Sequence, residues 1–596
     1  MLAIMAGMVV LTGCDEYDYM YDADCASVVR FEEYGEQKAK VPSVGVAKHE
    51  VKLLRSGHDI SQPMQAYVRV MTDAEWVKYV ENYNLDGYNR VPDNCFTLGD
   101  TATDSLAVEF SENQKAQVFT VNFNGAKVAA YENELMDKQP ADADNPVMCL
   151  PVRVTFAEGG SINNERKDFI IKVTMLGVGG IETTADFLQF ANKVNQGKSY
   201  ERWTNEAGEV ALLADIDLSG VDEWTPIGAV SNDGYSTTTP FAAVNPFKGV
   251  FNGNGHCIKG LKINQDLTGK LVYAVFGSVE NATIKNVTIG DKNGSETWEF
   301  TGTAPKSSTF ATLVGFAKNS VITNCHNYVN VNFNADCLSN NPVMLGGIVG
   351  TIMSSTVGGD SPADGCVNYG DIHIGRLTNL KMSQTSMLQG GIVGLTSLAD
   401  DNYLKYCVNR GYLSSPSGRT GGIAGSITRA NLYRCDNYGT IEDDRIGQHA
   451  ALTIETTRAY KRMGGIAGGT DDMRTLPKFS VTECVNYGNV LSHLGCRAAG
   501  MIAHCQMQLI GCRNAGVILS DFSIESGKPT YRHGPGWLAG WAGVNTDTFK
   551  NAKDCVRGGR VGDYSLYKDN PDSAPEATDE NAFCFNYQEY DPSLNK

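Results

Sequence analysis

Cys366-Val-Asn-Tyr-Gly370, running on through Asp371 to Ile372, decides the fold. Offsets 0, 2, 4 and 6 from the cysteine hold Cys366, Asn368, Gly370 and Ile372, and alternate residues of an extended strand share one face. The string recurs as Cys325-His-Asn-Tyr-Val329, Cys407-Val-Asn-Arg-Gly411, Cys435-Asp-Asn-Tyr-Gly439, Cys484-Val-Asn-Tyr-Gly488, Cys512-Arg-Asn-Ala-Gly516 and Cys555-Val-Arg-Gly-Gly559. A second string falls between the copies: Gly346-Gly-Ile-Val-Gly350, Gly390-Gly-Ile-Val-Gly394, Gly421-Gly-Ile-Ala-Gly425 and Gly464-Gly-Ile-Ala-Gly468. Self-similarity at this period marks a solenoid, each repeat burying its apolar edge on the next. Glycine-rich strings are costly inside helices. The expectation is therefore a parallel β-helix with rungs about 4.8 Å apart, cysteines and an asparagine ladder facing inward. Right-handed winding is expected from parallel crossovers.

The cysteine-to-cysteine steps are 41, 41, 28, 49, 28 and 43 residues. A step of 28 sets the minimal coil, and the longer steps place inserts within 371–389, 440–463 and 517–536. Inserts on a solenoid project from one edge and commonly carry function.

Upstream, alternating apolar segments from Val51–Leu54 to Phe169–Leu176, separated by turn residues, predict a β-sandwich over 25–177. A short helix over Ala74–Val80 is expected within it, capped by Asp73. Gly177-Val-Gly-Gly180 forms a linker, and Thr184 is placed to cap a helix presenting Phe187, Phe190, Ala191 and Val194. That helix would cover the first coil's open strand edge. The solenoid then spans 181–560, and a polar tail over 561–596 is expected to be irregular.

Residues 1–13 are apolar and end in Leu11-Thr-Gly-Cys14, which resembles the lipobox of a bacterial lipoprotein signal peptide. The resemblance implies cleavage before Cys14 and a diacylglycerol on its thiol. No Lys or Arg precedes Cys14, which leaves room for a start upstream of Met1. Asp15, Glu16 and Asp18 open an acidic, Tyr-rich tether over 14–24 that resembles the export signal of Bacteroidetes-type surface lipoproteins. This implies anchorage at the outer face of the outer membrane. The stretch Tyr83–Leu98 resembles the N-terminal immunoglobulin-like domain of such lipoproteins. The series Trp224-Thr-Pro-Ile-Gly228, Ala274-Val-Phe-Gly277 and Asn281–Ile289, with the Gly-Gly-Ile strings, resembles GLUG-motif β-helix proteins of bacterial surfaces. Here Ile stands where that motif has Leu.

The formal net charge of −18 argues against general binding to nucleic-acid phosphates. Setting Cys14 aside leaves 15 of the 16 cysteines, an odd number that cannot all pair. Inward cysteines behave as small hydrophobes. Disulfides between coils are the alternative, and without a Cys-x-x-Cys pair zinc is disfavoured. No cofactor is expected.

Tyr328, Tyr369, Tyr438 and Tyr487 occupy offset 3, facing outward. Such a stripe either packs against sugar rings or stacks on itself to stabilise the sheet. The inserts bring His373, Arg376 and Lys381, then Arg458, Lys461 and Arg462, then Tyr531 and Arg532. Cations beside aromatics suit a carboxylated or sulfated glycan, or are ordinary solvated loops. The carboxylate neighbours Asp400-Asp401, Asp443-Asp444 and Asp471-Asp472 point to opposite faces of a strand, so none forms an acid/base pair around one bond. The expectation is a non-catalytic surface protein attaching to glycan or host surface. The alternatives are a β-helix polysaccharide lyase or glycoside hydrolase, and a structural component of a surface fibre.

Overall fold

The computed structural model describes residues 27–577 except 34, 43–44, 101–104, 139–145, 177–178, 232–240, 338–341, 376–386, 398–400, 417, 444–460, 471–478, 493–495, 521–522, 526–527, 531–534, 540–551 and 557. The chain divides into two compact units, with the division near Gly179–Gly180.

The first unit is a β-sandwich. One sheet orders Ser161–Ile162, Val28–Phe31, Val46–Ser56, Ala116–Asn124 and Phe96–Leu98. The other orders Glu36–Pro42, Asp168–Leu176, Val147–Glu158, Met64–Val70 and Ser105–Phe110. Inward residues of both, including Phe31, Leu53, Val68, Val121 and Ile171, share one core, with Phe31 and Phe169 rings 5.4 Å apart. The expected helix spans Asp73–Tyr83, but its cap is Thr72, one residue earlier than read. Thr72 and Glu75 close a capping box, which ties both orphan N–H groups at once. A second helix, Gly125–Asp137, was not anticipated; its cap is Asn124.

The second unit opens with the helix Thr184–Asn195, capped by Thr183 through a box with Asp186, again one residue before the expected position. It buries Phe187, Phe190, Ala191 and Val194 as the sequence periodicity required. Phe187 stacks on Trp224 at 5.6 Å and Phe190 meets Phe247 at 5.7 Å.

The rest is a parallel β-helix. One sheet stacks nine short strands, from Ile216–Asp217 through His326–Asn327, Val367–Asn368, Val408–Asn409, Asp436–Asn437 and Val485–Asn486 to Arg513–Asn514. A second nine-stranded sheet takes the next segment of each coil, such as Ile372–Ile374. A third holds the strands that enter the Gly-Gly strings, Val343–Gly346, Met387–Gly390, Gly418–Gly421 and Lys461–Gly464 among them. The strands leaving those strings, such as Val349–Met353 and Thr356–Gly358, fill the largest sheet.

The two recurrent strings exist for each other. A Cβ on Gly422 would lie 2.3 Å from Asn437 Cγ and 2.2 Å from the Gly465 carbonyl; on Gly465, 2.3 Å from Asn486 Cγ. Gly347, Gly391 and Gly500 make the same approach to Asn368, Asn409 and Asn514. The glycine wall and the asparagine ladder are thus the two sides of one narrow core, with no room for a methyl group between them.

The described part of the tail, to residue 577, is ordered rather than irregular. Asp563 caps a short helix, Tyr564–Tyr567. Tyr564 and Ala574 then bury against Val517 and Leu519 of the final coils. Residues 578–596 lie outside the described residues.

Candidate functional site

Strand alternation assigns each side chain of the Cys-x-Asn string to a face. Inward, Cys325, Cys366, Cys407, Cys435, Cys484 and Cys512 are fully buried. Five of the six thiols donate to carbonyls of the preceding rung, as Cys366 to Ile322 and Cys435 to Leu404, both at 3.4 Å, while that of Cys484 donates to Thr482 in its own rung. All thirteen described cysteines are free thiols. Burial pushes those of Cys337 and Cys505 up to about 12, which keeps them protonated and unreactive.

The asparagines form the expected ladder. Nδ2 donates to the next Oδ1 at 2.8 Å from Asn327 to Asn368, Asn409, Asn437, Asn486 and Asn514 in turn. Each Nδ2 also donates to the carbonyl two residues on, for example Asn437 to Gly439 at 2.9 Å. All six are fully buried.

Outward, offset 3 gives one in-register column: Tyr328, Tyr369, Arg410, Tyr438, Tyr487. Tyr369, Tyr438 and Tyr487 are about two-fifths exposed. The rings stack on one another rather than lying open. Tyr328 and Tyr369 are parallel to within 6° at 4.5 Å, and Tyr438 and Tyr487 to within 8° at 4.6 Å. Arg410 fills the middle rung, its guanidinium 4.5 Å from the Tyr438 ring centre, a cation–π contact. The sequence reading left Arg410 out of the column, although it holds the tyrosine offset in Cys407-Val-Asn-Arg-Gly411. What the column presents to solvent is therefore ring edges, hydroxyls and one cation. Beside it, burial pushes the Asp436 carboxyl up to about 6, Arg410 opposing the shift.

The insert residues fare differently. Arg458, Tyr531, Arg532 and Cys14 lie outside the described residues. Lys461 and Arg462, expected on a solvated insert, belong to the strand Lys461–Gly464 and are 1% and 4% exposed. Lys461 turns into the coil interior, where Nζ donates to Thr420 Oγ1 at 2.5 Å. Thr420 donates on to Gln389 Oε1 at 3.2 Å, and Gln389 to the Ile372 carbonyl at 2.8 Å. Burial lowers the Lys461 ammonium to about 8, against the opposing influence of Cys496 and Asp443. Asp443, read as one of two neighbouring carboxylates on opposite faces of a strand, is buried and accepts from Ser492 Oγ at 2.7 Å. Arg462 faces the other way, in a row with Arg419 and Arg497 on adjacent rungs. In earlier coils that row is Met344 and Leu388. Among the described residues no group of three His, Cys, Asp or Glu side chains is placed to hold a metal ion.

No protein-family model and no curated protein matches this chain. Among solved structures it is similar to a "putative carbohydrate binding protein" from Bacteroides ovatus, at 15% identity and a TM-score of 0.19, over 24% of this chain and 36% of that one. A multidomain protein including DUF1735 from the same organism matches at 13% identity and a TM-score of 0.17, over 25% of this chain and 44% of that one. A "putative immunoglobulin A1 protease", also from Bacteroides ovatus, matches at 15% identity and a TM-score of 0.29, over 60% of this chain and 83% of that one. The chain spans less than half the length of the first two of these structures, and the likenesses are partial.

Proposed function

We propose that this chain is a non-catalytic glycan-binding protein of the bacterial cell surface, tethered through a lipid on Cys14. The observation that carries the reading is the exposed column Tyr328–Tyr369–Arg410–Tyr438–Tyr487. It offers hydroxyls and a cation on successive rungs of one sheet, the rings within each tyrosine pair 4.5–4.6 Å apart and the Arg410 guanidinium 4.5 Å from the Tyr438 ring. A regular polymer laid along the column meets equivalent donors and acceptors rung after rung, and the buried amide ladder behind them fixes their positions. Because the tyrosines cover each other's faces, the column holds glycan by hydrogen bonds and ring edges, not by stacking under each sugar.

The test is a glycan array on the full chain, with product analysis, beside the variant Tyr328→Ala/Tyr369→Ala/Tyr438→Ala/Tyr487→Ala. Bound, uncut ligand that the variant loses supports the reading. Release of reducing ends would replace it with the lyase or hydrolase, and silence on all glycans with the fibre component. Anchorage is tested separately. Cys14→Ala should move the protein out of the membrane fraction and the detergent phase, and unchanged partitioning would overturn the lipid assignment. Asp15→Ala/Glu16→Ala/Asp18→Ala should keep lipidation while reducing digestion by protease added to intact cells.

A further inference from the structure

Arg410 interrupts the column of tyrosines in which it stands. The strand register runs from Tyr328 through Tyr369, Arg410 and Tyr438 to Tyr487, so one rung in five carries a cation where the others carry a phenol. The exchange keeps the column continuous. The guanidinium lies 4.5 Å from the Tyr438 ring centre, and a planar, delocalised cation is the charged side chain suited to replace a ring at that distance.

What the exchange alters is the edge turned to solvent. A guanidinium held over a ring keeps most of its five N–H donors for other partners. Arg410 is exposed, and among the described residues it makes no ion pair and no side-chain hydrogen bond. By contrast, Lys318, Lys405 and Arg434 hold Glu280, Asp360 and Glu483 at 2.6, 2.8 and 2.6 Å. Asp436 lies beside the column, but it pairs in register with Val408, two residues before Arg410, and accepts from the Val485 N–H at 3.2 Å. In a chain of net charge −18 carboxylates are the commonest ionic partner, yet this cation, fixed on a rung, keeps its donors unspent.

We infer that Arg410 is the anion-reading position of the column, taking the carboxylate of one uronic acid unit in a glycan whose adjoining units are neutral. The inference deepens the proposed glycan-binding function and rests on it. An arginine fork matches a carboxylate with two parallel N–H···O bonds, while the phenols of the flanking rungs offer hydroxyls that suit uncharged units. One cation in five rungs is too sparse for a polymer charged at every unit, which the excess of carboxylates on the protein repels. Asp436 adds a pH response. The ionisable residues around it are Tyr406 and Arg410 on the rung before, Arg434 and Tyr438 on its own, and Glu483 and Tyr487 on the rung after. Burial pushes the Asp436 carboxyl up to about 6. Above that pH its charge repels a carboxylate seated on Arg410, and below it the repulsion is gone.

The test is calorimetry on the full chain with three polymers, each beside its methyl ester: hyaluronan, where uronate alternates with a neutral unit; glucuronoxylan, where uronate is sparse; and polygalacturonate, where every unit is charged. Hyaluronan or glucuronoxylan should bind about tenfold or more tighter as the acid than as the ester, as charge-assisted hydrogen bonds imply. Arg410→Gln should erase that ratio. Arg513→Gln, which removes an exposed arginine of the same sheet outside the column, should leave it. The ratio should widen as pH falls through about 6 and should lose this response in Asp436→Asn. Equal loss in the two arginine variants, a ratio that ignores pH, or tightest binding to polygalacturonate would overturn the assignment. Acid and ester bound alike, and both lost on replacing the column tyrosines, would mean that the inference falls and the column stands. If none of the polymers binds, both fall.

Discussion

Asn437→Asp exchanges one nitrogen for oxygen in the middle of the amide ladder and changes almost nothing in size. Asn437 Nδ2 donates to Gly439 O at 2.9 Å and to Asn486 Oδ1 at 2.8 Å, and its Oδ1 accepts from Asn409 at 2.8 Å. An aspartic acid keeps the acceptor, but its single proton can satisfy only one of the two outgoing bonds. One buried acceptor is left unmet, costing about 1–3 kcal/mol while the carboxyl is neutral. Ionisation is worse, because the charge faces two oxygens with no water near. Burial of this kind raises a carboxyl pKa by about 3 units or more. The native pKa then lies above the unfolded one, so stability falls as pH rises between the two. At about 1.4 kcal/mol per unit, a further loss of about 4 kcal/mol accumulates between pH 4 and pH 7. The assay is urea unfolding of wild type and variant across that range, compared as the difference at each pH. Val321→Asp, at an outward, exposed strand position with threonines on both neighbouring rungs, serves as control. A loss at Asn437→Asp within about 0.5 kcal/mol of wild type and flat with pH, the behaviour of an ordinary surface site, would refute the inward ladder.

Gly422→Ala should cost about 1–3 kcal/mol or more in the same assay, because its Cβ would meet the Gly465 carbonyl and Asn437 at 2.2 and 2.3 Å. Gly220→Ala, where nothing lies within 4 Å, should stay within about 0.5 kcal/mol. For Lys461 the native pKa of about 8 lies below its unfolded value, so the penalty is present at neutral pH and is relieved as pH rises from about 8 toward 10.5. That is worth about 3 kcal/mol; Lys461→Met should remove this part of the pH dependence, and an unchanged slope would place the ammonium in solvent. Tyr369→Ala/Tyr438→Ala breaks both stacked pairs and should cost about 1–3 kcal/mol in total while the far-ultraviolet circular dichroism is retained; collapse of that signal would make the column part of the core.

Much of the solenoid was legible because a β-helix writes its register into sequence. The repeated asparagine could be placed by alternation alone, and the amphipathic helix below Thr183 by its spacing. Both helix caps were misplaced by one residue, since Thr72 beside Asp73, and Thr183 beside Thr184, are comparable caps until geometry chooses. Lys461 and Arg462 were misread for a physical reason. A Lys-Arg pair beside a long insert has the composition of a solvated loop, yet both sit in the strand that leads into Gly464. Aligned on that glycine, Lys461 takes the place of Met387 and Arg462 that of Leu388, and the alternation then sends them to opposite faces. That signal was available in the sequence, but the charge was weighed more heavily than the position. The column of tyrosines was legible as positions and not as rotamers, and only rotamers show that the rings cover each other. The fold-back of the tail was out of reach, because its polar composition gives no sign that Tyr564 and Ala574 bury against the last coils.

Every bond of the amide ladder points the same way, from the nitrogen of one coil to the oxygen of the next. A stack built so has two chemically different ends, one that asks for an acceptor and one that offers it. A truncated molecule would therefore carry a cohesive end able to take up the first asparagine of another copy, growing head to tail. The seventh string prevents this by its spelling, with Arg557 where the others have asparagine. Asn514 spends its amide hydrogens on the carbonyls of Gly516 and Gly558, at 3.0 and 3.4 Å. The series is thus closed by a change of letter in the last coil, beside the tail that packs against it.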